Sequence, residues 1–257
     1  MHILVTNDDG VQAPGLLALA QAMREIATVT VFAPDRNWSA SGHVKTLERP
    51  LRIGETMLAD GTQAFMSDGA PSDCVALPLL GFLENKVDLV VSGINPFSNI
   101  GHDVTYSGTV TAAMEAVIAG VPGIAFSLAS QDKPASVPAD YGPAAQTAKI
   151  VAQNVLEKGL SEGVVLNVNI PYLDIESMKG ILITRQGLRV YRDALDRRVD
   201  PRGRPYYWIG GDAPTGVNEE GTDVGALLAG YVSVTPLQLD LTHYKVMDTL
   251  KNWEWNK

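Results

Sequence analysis

The chain is short of several features that would settle its class at once. Cys74 is the only cysteine in 257 residues. No internal disulfide is available, which points to a reducing, cytoplasmic compartment and to a small buried apolar role for the thiol. The 4 histidines are His2, His43, His102 and His243, and none pair at zinc-ligand spacing, which argues against a zinc centre of Cys and His. Apolar runs are brief, and none approaches the roughly 20 residues that span a bilayer. The first residues lack the basic start and cleavage site of a secretion signal, so no membrane association is expected. Positive charge is also scarce: 20 Lys and Arg stand against 29 Asp and Glu, a net charge of −9. Long nucleic acids are held by many Lys and Arg contacts to phosphate, so they are poor partners for this chain. A small phosphorylated substrate is not excluded, because a bound divalent ion can supply positive charge locally. The first strand-to-helix turn lacks G-x-G-x-x-G, and no G-x-x-x-x-G-K-[ST] occurs. A dinucleotide-dependent enzyme is therefore set aside.

What is present reads as one large domain, or one with a small appendage. Strand-like segments at residues 2–6, 29–34, 87–92, 123–127 and 164–170 alternate with helical ones. Helices are expected from Pro14, from Pro71 with a kink at Pro78, from Ser107 to a stop at Gly120, and over 142–158. This interleaving predicts an α/β fold with a mostly parallel sheet covered on both faces. After about residue 185 the texture changes. Arg189–Arg192 and Pro205–Ile209 flank a charged, turn-rich stretch, which predicts a long hairpin leaving the core. A short capped helix over 222–228, a last strand over 231–236 and a weak tail helix over 244–253 follow. The tail helix is too small to bury Val246, Leu250 and Trp253 alone, so it is expected to pack on the body or on another subunit. The chain thus divides into a core, 1–185, that carries the site, and a hairpin and C-terminal oligomerisation segment, 186–257, of the same unit.

The chemistry concentrates at strand ends. The first strand breaks into Asn7-Asp8-Asp9-Gly10. Open α/β sheets bind ligands beyond the carboxyl ends of their strands. Two adjacent carboxylates there disfavour joint ionisation unless positive charge lies between them, and hard oxygen ligands suit Mg²⁺, Mn²⁺ or Ca²⁺. The same four residues are also good turn formers. The loop after the second strand brings Asn37, Ser39 and Ser41, and the strand at 87–92 leads to Asn95. Two carboxylates, a hydroxyl and an amide oxygen leave room for water in an octahedral shell. Tyr106-Ser107-Gly108-Thr109-Val110 opens a helix, whose free N–H groups form an anion seat, with Gly108 permitting close approach. Each residue has a plainer use: Ser39 and Ser41 in a turn, Asn95 bonding its own backbone, Ser107 or Thr109 as an N-cap. His102 and Asp103 read as loop residues, Trp38 as a loop or rim aromatic, and the Arg197–Arg204 cluster as a solvated hairpin. Their joint placement favours a metal beside a phosphate seat, the layout of metal-assisted phosphoester hydrolysis.

The opening Met1–Gly10 closely resembles that of the SurE family of metal-dependent 5′-nucleotidases (survival protein E). The pattern recurs in Ala33–Gly42, in Ser92-Gly93-Ile94-Asn95 with Asn99 and Gly101, and in Asp103-Val104, Tyr106–Val110 and Ala112–Glu115. Weaker echoes lie at Gly69–Val75, Asn167–Pro171, Thr222-Asp223 and Thr235–Leu237. The resemblance implies one divalent metal per subunit, Mg²⁺ or Mn²⁺, held by Asp8, Asp9, Ser39 and Asn95. It implies catalysis by Asp8, Asp9 and Asn95, with substrate phosphate near Asn95, Ser107, Gly108 and Thr109. The implied substrates are nucleoside 5′-monophosphates, with 3′-nucleotides and short polyphosphate as further ones. The implied architecture is a Rossmann-like body with a projecting β-hairpin and a C-terminal segment, after about 235, exchanged within a homodimer or homotetramer. A non-catalytic nucleotide or phosphate sensor on the same fold is the alternative. The sequence departs from the pattern at Phe97, where the family usually has glycine. A phenylalanine cannot take a left-handed backbone cheaply, so either that position is not left-handed here or the loop is reshaped and substrate preference shifts.

Overall fold

A computed structural model describes residues 1–130 and 137–255. In chain order the elements are β1 (His2–Thr6), α1 (Pro14–Arg24), β2 (Thr28–Pro34), β3 (Ile53–Met57), β4 (Gln63–Ser67), α2 (Pro71–Leu77), β5 (Leu89–Asn95), α3 (Gly108–Ile118), β6 (Gly123–Ala129), α4 (Gly142–Lys158), β7 (Val164–Pro171), β8 (Ile181–Ile183), β9 (Arg189–Val199), β10 (Pro205–Gly216), α5 (Asp223–Leu228), β11 (Val232–Gln238) and α6 (Tyr244–Lys251). Nine strands form one sheet in the order β3-β4-β2-β1-β5-β6-β7-β11-β8. Its central five strands run parallel; β3 is antiparallel to β4, and β11 to β7. The remaining two strands, β9 and β10, make a separate antiparallel ribbon, the hairpin expected from the sequence.

Strand side chains alternate between faces, and this assigns the two cores. Ile3, Val5, Leu89, Val91, Ile124 and Phe126 pack under α1 and α4. Leu4, Phe32 and Val90 face the other way, toward Cys74 and Val75 of α2 and Ala112 and Ala116 of α3. A sheet covered on both faces needs near-continuous apolar strands, which is why β1 and β5 read as unbroken hydrophobic runs. Cys74 is fully buried, and burial pushes its thiol pKa well up, as suits an inert core residue. Among the described residues no helix is long and apolar enough to cross a membrane.

Several boundaries differ from the sequence reading. Pro78 ends α2 rather than kinking it, and the next turn, Pro78–Phe82, contains Gly81 at φ 119°. Strand β5 starts at Leu89, two residues later than read, and ends at Asn95, the strand-end position expected for it. The ribbon extends to Gly216. Strand β11 pairs with β7 as far as Gln238. The sheet therefore claims residues 235–238, part of the stretch that the resemblance assigned to an exchanged segment. Helix α6 buries no residue in this chain, so of the two packings expected for it, the body is not the one seen.

Candidate active site

The chain places β2 on one side of β1 and later returns to add β5 on the other. That reversal is the switch point where open α/β sheets form a ligand crevice. Strand β1 delivers Asp8 and Asp9 there, and β5 delivers Asn95.

Local chemistry fixes the acidic pair. Asn7 makes the turn: its Nδ2 donates to the Gly10 carbonyl at 3.0 Å and its Oδ1 accepts from the Gly10 amide at 3.2 Å. Asn7-Asp8-Asp9-Gly10 is thus both a turn and the carrier of two inward acids; the two readings were not rivals. The Trp38 amide donates to the Asp8 carbonyl at 2.7 Å, which draws the loop carrying Ser39 to the end of β1. Within that loop the Ser39 amide donates to Asn37 Oδ1 at 2.7 Å.

Asp8 is almost wholly buried, and its Oδ1 accepts from the Thr109 hydroxyl at 2.5 Å. Burial raises its pKa, opposed by the Thr109 hydroxyl and by backbone amides including those of Thr109 and Gly108. Gly108 is required for steric reasons: a Cβ there would lie 2.7 Å from Asp8 Cβ and 2.9 Å from Asp8 Oδ2. Asp9 is less enclosed. Among the described residues no hydrogen bond reaches its carboxylate, and burial, then the nearby Asp8 charge, push its pKa up to about 7. Ser107 caps α3, its Oγ accepting from the Val110 amide at 3.1 Å, which leaves its hydroxyl proton free to donate elsewhere.

Asp8, Asp9, Asn37, Ser39, Asn95 and Ser107 all line one cavity of about 460 Å³. The three stretches expected to converge therefore do. Gly108 and Thr109 do not reach its surface; they stand behind Asp8. The helix start read as a phosphate seat is thus partly taken by the protein's own carboxylate, and Thr109 turns inward to it.

The cavity suits a hard divalent cation. Among the described residues no three Asp, Glu, His or Cys side chains converge; the donors are two carboxylates with a neutral hydroxyl and amide oxygen. Burial and the Asp8 charge both disfavour an ionised Asp9, and a cation placed between the two carboxylates would offset both. Asn95 Nδ2 donates to the Phe97 carbonyl at 2.6 Å, so the amide group is oriented and its Oδ1 is the atom left to act as a ligand.

Supporting residues came from parts of the chain that the sequence reading left without a role. Asn99 is clamped to β6 and β7: its amide donates to Asn169 Oδ1 at 2.8 Å, its carbonyl accepts from Asn167 and Asn169, and its Nδ2 donates to Ser127 Oγ at 2.8 Å. Buried Glu115 of α3 grips the far end of the Ser39 loop, with His43 Nε2 at 3.0 Å and Lys45 Nζ at 2.7 Å. Asp103, on the cavity wall, pairs with Arg189 Nε at 2.7 Å and accepts from the Tyr191 hydroxyl at 2.5 Å. Asp103 is therefore more than a loop residue: it roots the ribbon beside the cavity.

The family model described as "Survival protein SurE" matches residues 3–193. The chain belongs to the SurE family. A SurE relative from Chloroflexus aggregans, named 5′-nucleotidase SurE, is 51% identical over 255 residues, covering 99% of this chain and all of that one. One of the same name from Herpetosiphon aurantiacus is 50% identical over 256 residues, covering 100% of this chain and 99% of that one. The crystal structure of the SurE protein from Aquifex aeolicus superposes with a TM-score of 0.81 at 44% identity, covering 98% of each chain. The SurE model thus covers the strands from β1 to β8 together with Asp8, Asp9, Ser39, Asn95 and Ser107, and stops within β9.

Proposed function

We propose that this chain is a metal-dependent phosphomonoesterase that hydrolyses nucleoside 5′-monophosphates. The observation that carries the reading is the convergence of Asp8, Asp9, Ser39 and Asn95 on one cavity beside Ser107, in a chain about half identical to proteins named 5′-nucleotidase. One Mg²⁺ or Mn²⁺ per subunit would be held by Asp8, Asp9, Ser39 Oγ and Asn95 Oδ1. When bound, it supplies Lewis-acid charge for the phosphoryl oxygens.

The side chains divide the remaining work. Asp8 is locked by Thr109, so it serves as a fixed anchor. Asp9 has no competing hydrogen bond among the described residues and is the carboxylate free to orient an attacking water and take its proton. The Ser107 hydroxyl, with its oxygen already satisfied by Val110, donates to a phosphoryl oxygen. Asn95 is held by the Phe97 carbonyl in the pose that serves the cation. The buried floor of the cavity strengthens these charge interactions by excluding water. A sensor that merely held phosphate would gain little from two acids facing the ligand, which favours the enzyme over the binding alternative.

The wider reading includes 3′-nucleotides and short polyphosphate as further substrates. It also includes a homodimer or homotetramer in which the exposed α6 is exchanged. A single buried thiol suits a cytoplasmic setting. Phosphate release from AMP with Mn²⁺ or Mg²⁺, with and without chelator, tests the core claim. Loss of turnover with chelator and its return on metal addition is expected. Undiminished turnover in chelator removes the cation from the mechanism, and no release under any condition removes the enzyme.

A further inference from the structure

Among the described residues no aromatic ring or cation packs on the Phe97 ring. It is 57% exposed, while Ser98 and Asn99 beside it are each 8% exposed. The loop that carries it is pinned on both sides. The Phe97 carbonyl accepts from Asn95 Nδ2 at 2.6 Å, the Pro96 carbonyl accepts from Ser130 Oγ at 2.5 Å, and the Asn99 amide is held by Asn169. Ala40 is the one non-glycine residue with positive φ among those described, so Phe97 is seated without left-handed strain. These bonds fix the backbone from which the ring projects, and Phe97 lines the cavity that contains Asp8, Asp9 and Ser107, two residues from Asn95. The wall of that cavity carries carboxylates, amides and hydroxyls at its Asp8 end, and Arg189, two prolines and a second exposed ring, Tyr106, elsewhere. An exposed ring on a backbone pinned beside the acidic end of the cavity matches a ligand with a charged end and a flat aromatic end. A nucleobase has such a face whatever its edge pattern, and aromatic side chains bind bases through it.

We propose that Phe97 is a specificity-determining residue that stacks on the base of the bound nucleoside monophosphate. The inference rests on the phosphomonoesterase reading for its ligand class and adds the element that holds the nucleoside end. Recognition through a face rather than an edge tolerates different bases and favours purines over pyrimidines, because the larger ring system covers more of the phenyl surface.

The test compares the wild-type protein with Phe97→Leu, which keeps apolar bulk but lacks a π-face, and Phe97→Tyr, which retains it. Turnover of AMP and of ribose 5-phosphate, and calorimetric affinity for AMP, are measured with Mg²⁺ present. Phe97→Leu should raise KM and weaken affinity for AMP about tenfold, with kcat and ribose 5-phosphate turnover unchanged. Phe97→Tyr should stay within about twofold of wild type. Unchanged AMP affinity in Phe97→Leu, or an equal loss with both substrates, overturns the proposal. If the wild type releases no phosphate from AMP, the enzyme reading fails, while AMP affinity across the three proteins still decides the role of Phe97.

Discussion

The Thr109 hydroxyl donates to Asp8 Oδ1 at 2.5 Å, joining the first turn of α3 to the end of β1 across 101 residues of sequence. Both partners are buried, so the bond fixes one carboxylate of the pair in a single pose. Thr109→Val keeps the shape and removes the donor. Partners that orient a ligand residue typically contribute 10- to 100-fold to metal affinity or activity. We expect a loss of about that size in kcat/KM, with Thr109→Ser restoring most of it. A Thr109→Val enzyme with wild-type kcat/KM and metal affinity would show that Asp8 is held by other means.

Gly108 offers a steric version of the same test. Alanine is a good helix former at this position, so Gly108→Ala should fold with α3 intact. Its methyl group would overlap Asp8 and push the carboxylate aside. A displacement of about 1 Å at a reacting centre costs roughly 100-fold in rate. Circular dichroism should be unchanged while turnover falls by that order; full activity would mean the acid moves without consequence.

Asp9 gives a pH dependence whose direction follows from its pKa. In the cation-free fold its carboxyl keeps a proton to about 7, whereas an ordinary aspartate releases it near 3.8. Between those values the unfolded chain loses the proton and the folded chain retains it, so stability falls as pH rises through the window and levels off above it. Asp8, also raised, contributes in the same direction. Melting temperature in chelator should therefore drop from about pH 4 to pH 7, and Asp9→Asn should flatten part of the slope. Added Mn²⁺ should raise the melting temperature more at the alkaline end, because binding requires deprotonated ligands. A melting temperature in chelator that climbs across this range would show that the pair is already neutralised by another group.

Glu115 makes no contact with the cavity yet holds the far end of the loop that supplies Ser39. Glu115→Gln removes the charge that binds Lys45 and His43 while keeping the volume. The loop should loosen, with metal affinity weakened by about tenfold and kcat at saturating metal nearly preserved. Equal losses in both would instead assign Glu115 to the stability of α3.

Much of the core was legible because its periodicities are strong. Helix α4 was expected over 142–158 and has those limits. The five central strands read clearly because a doubly covered sheet demands apolar residues on both faces. The hairpin was legible as a change of texture. Its length was not, because β9 and β10 project from the body and carry no buried-face periodicity. Strand ends and a family pattern both marked Asp8, Asp9, Ser39 and Asn95, and the four line one cavity. The roles of Thr109, Asn99 and Glu115 were hidden. Each acts through a partner some 70 to 101 residues away, and such contacts leave no local spacing to read. Thr109 was read as part of a phosphate seat, and its hydroxyl donates to Asp8, a pairing no local spacing announces.

The ribbon's attachment at Asp103 has a mechanical consequence. With 11 residues in β9, the ribbon is about 35 Å long, and its foot is bolted to the chamber wall through Arg189 and Tyr191. On a lever of that length a tilt of about 5° at the foot moves the tip by about 3 Å. Small adjustments at Arg189 and Tyr191 are thus magnified at the outer end. The place where the ribbon is anchored, not its tip, sets how closely it is tied to the chamber.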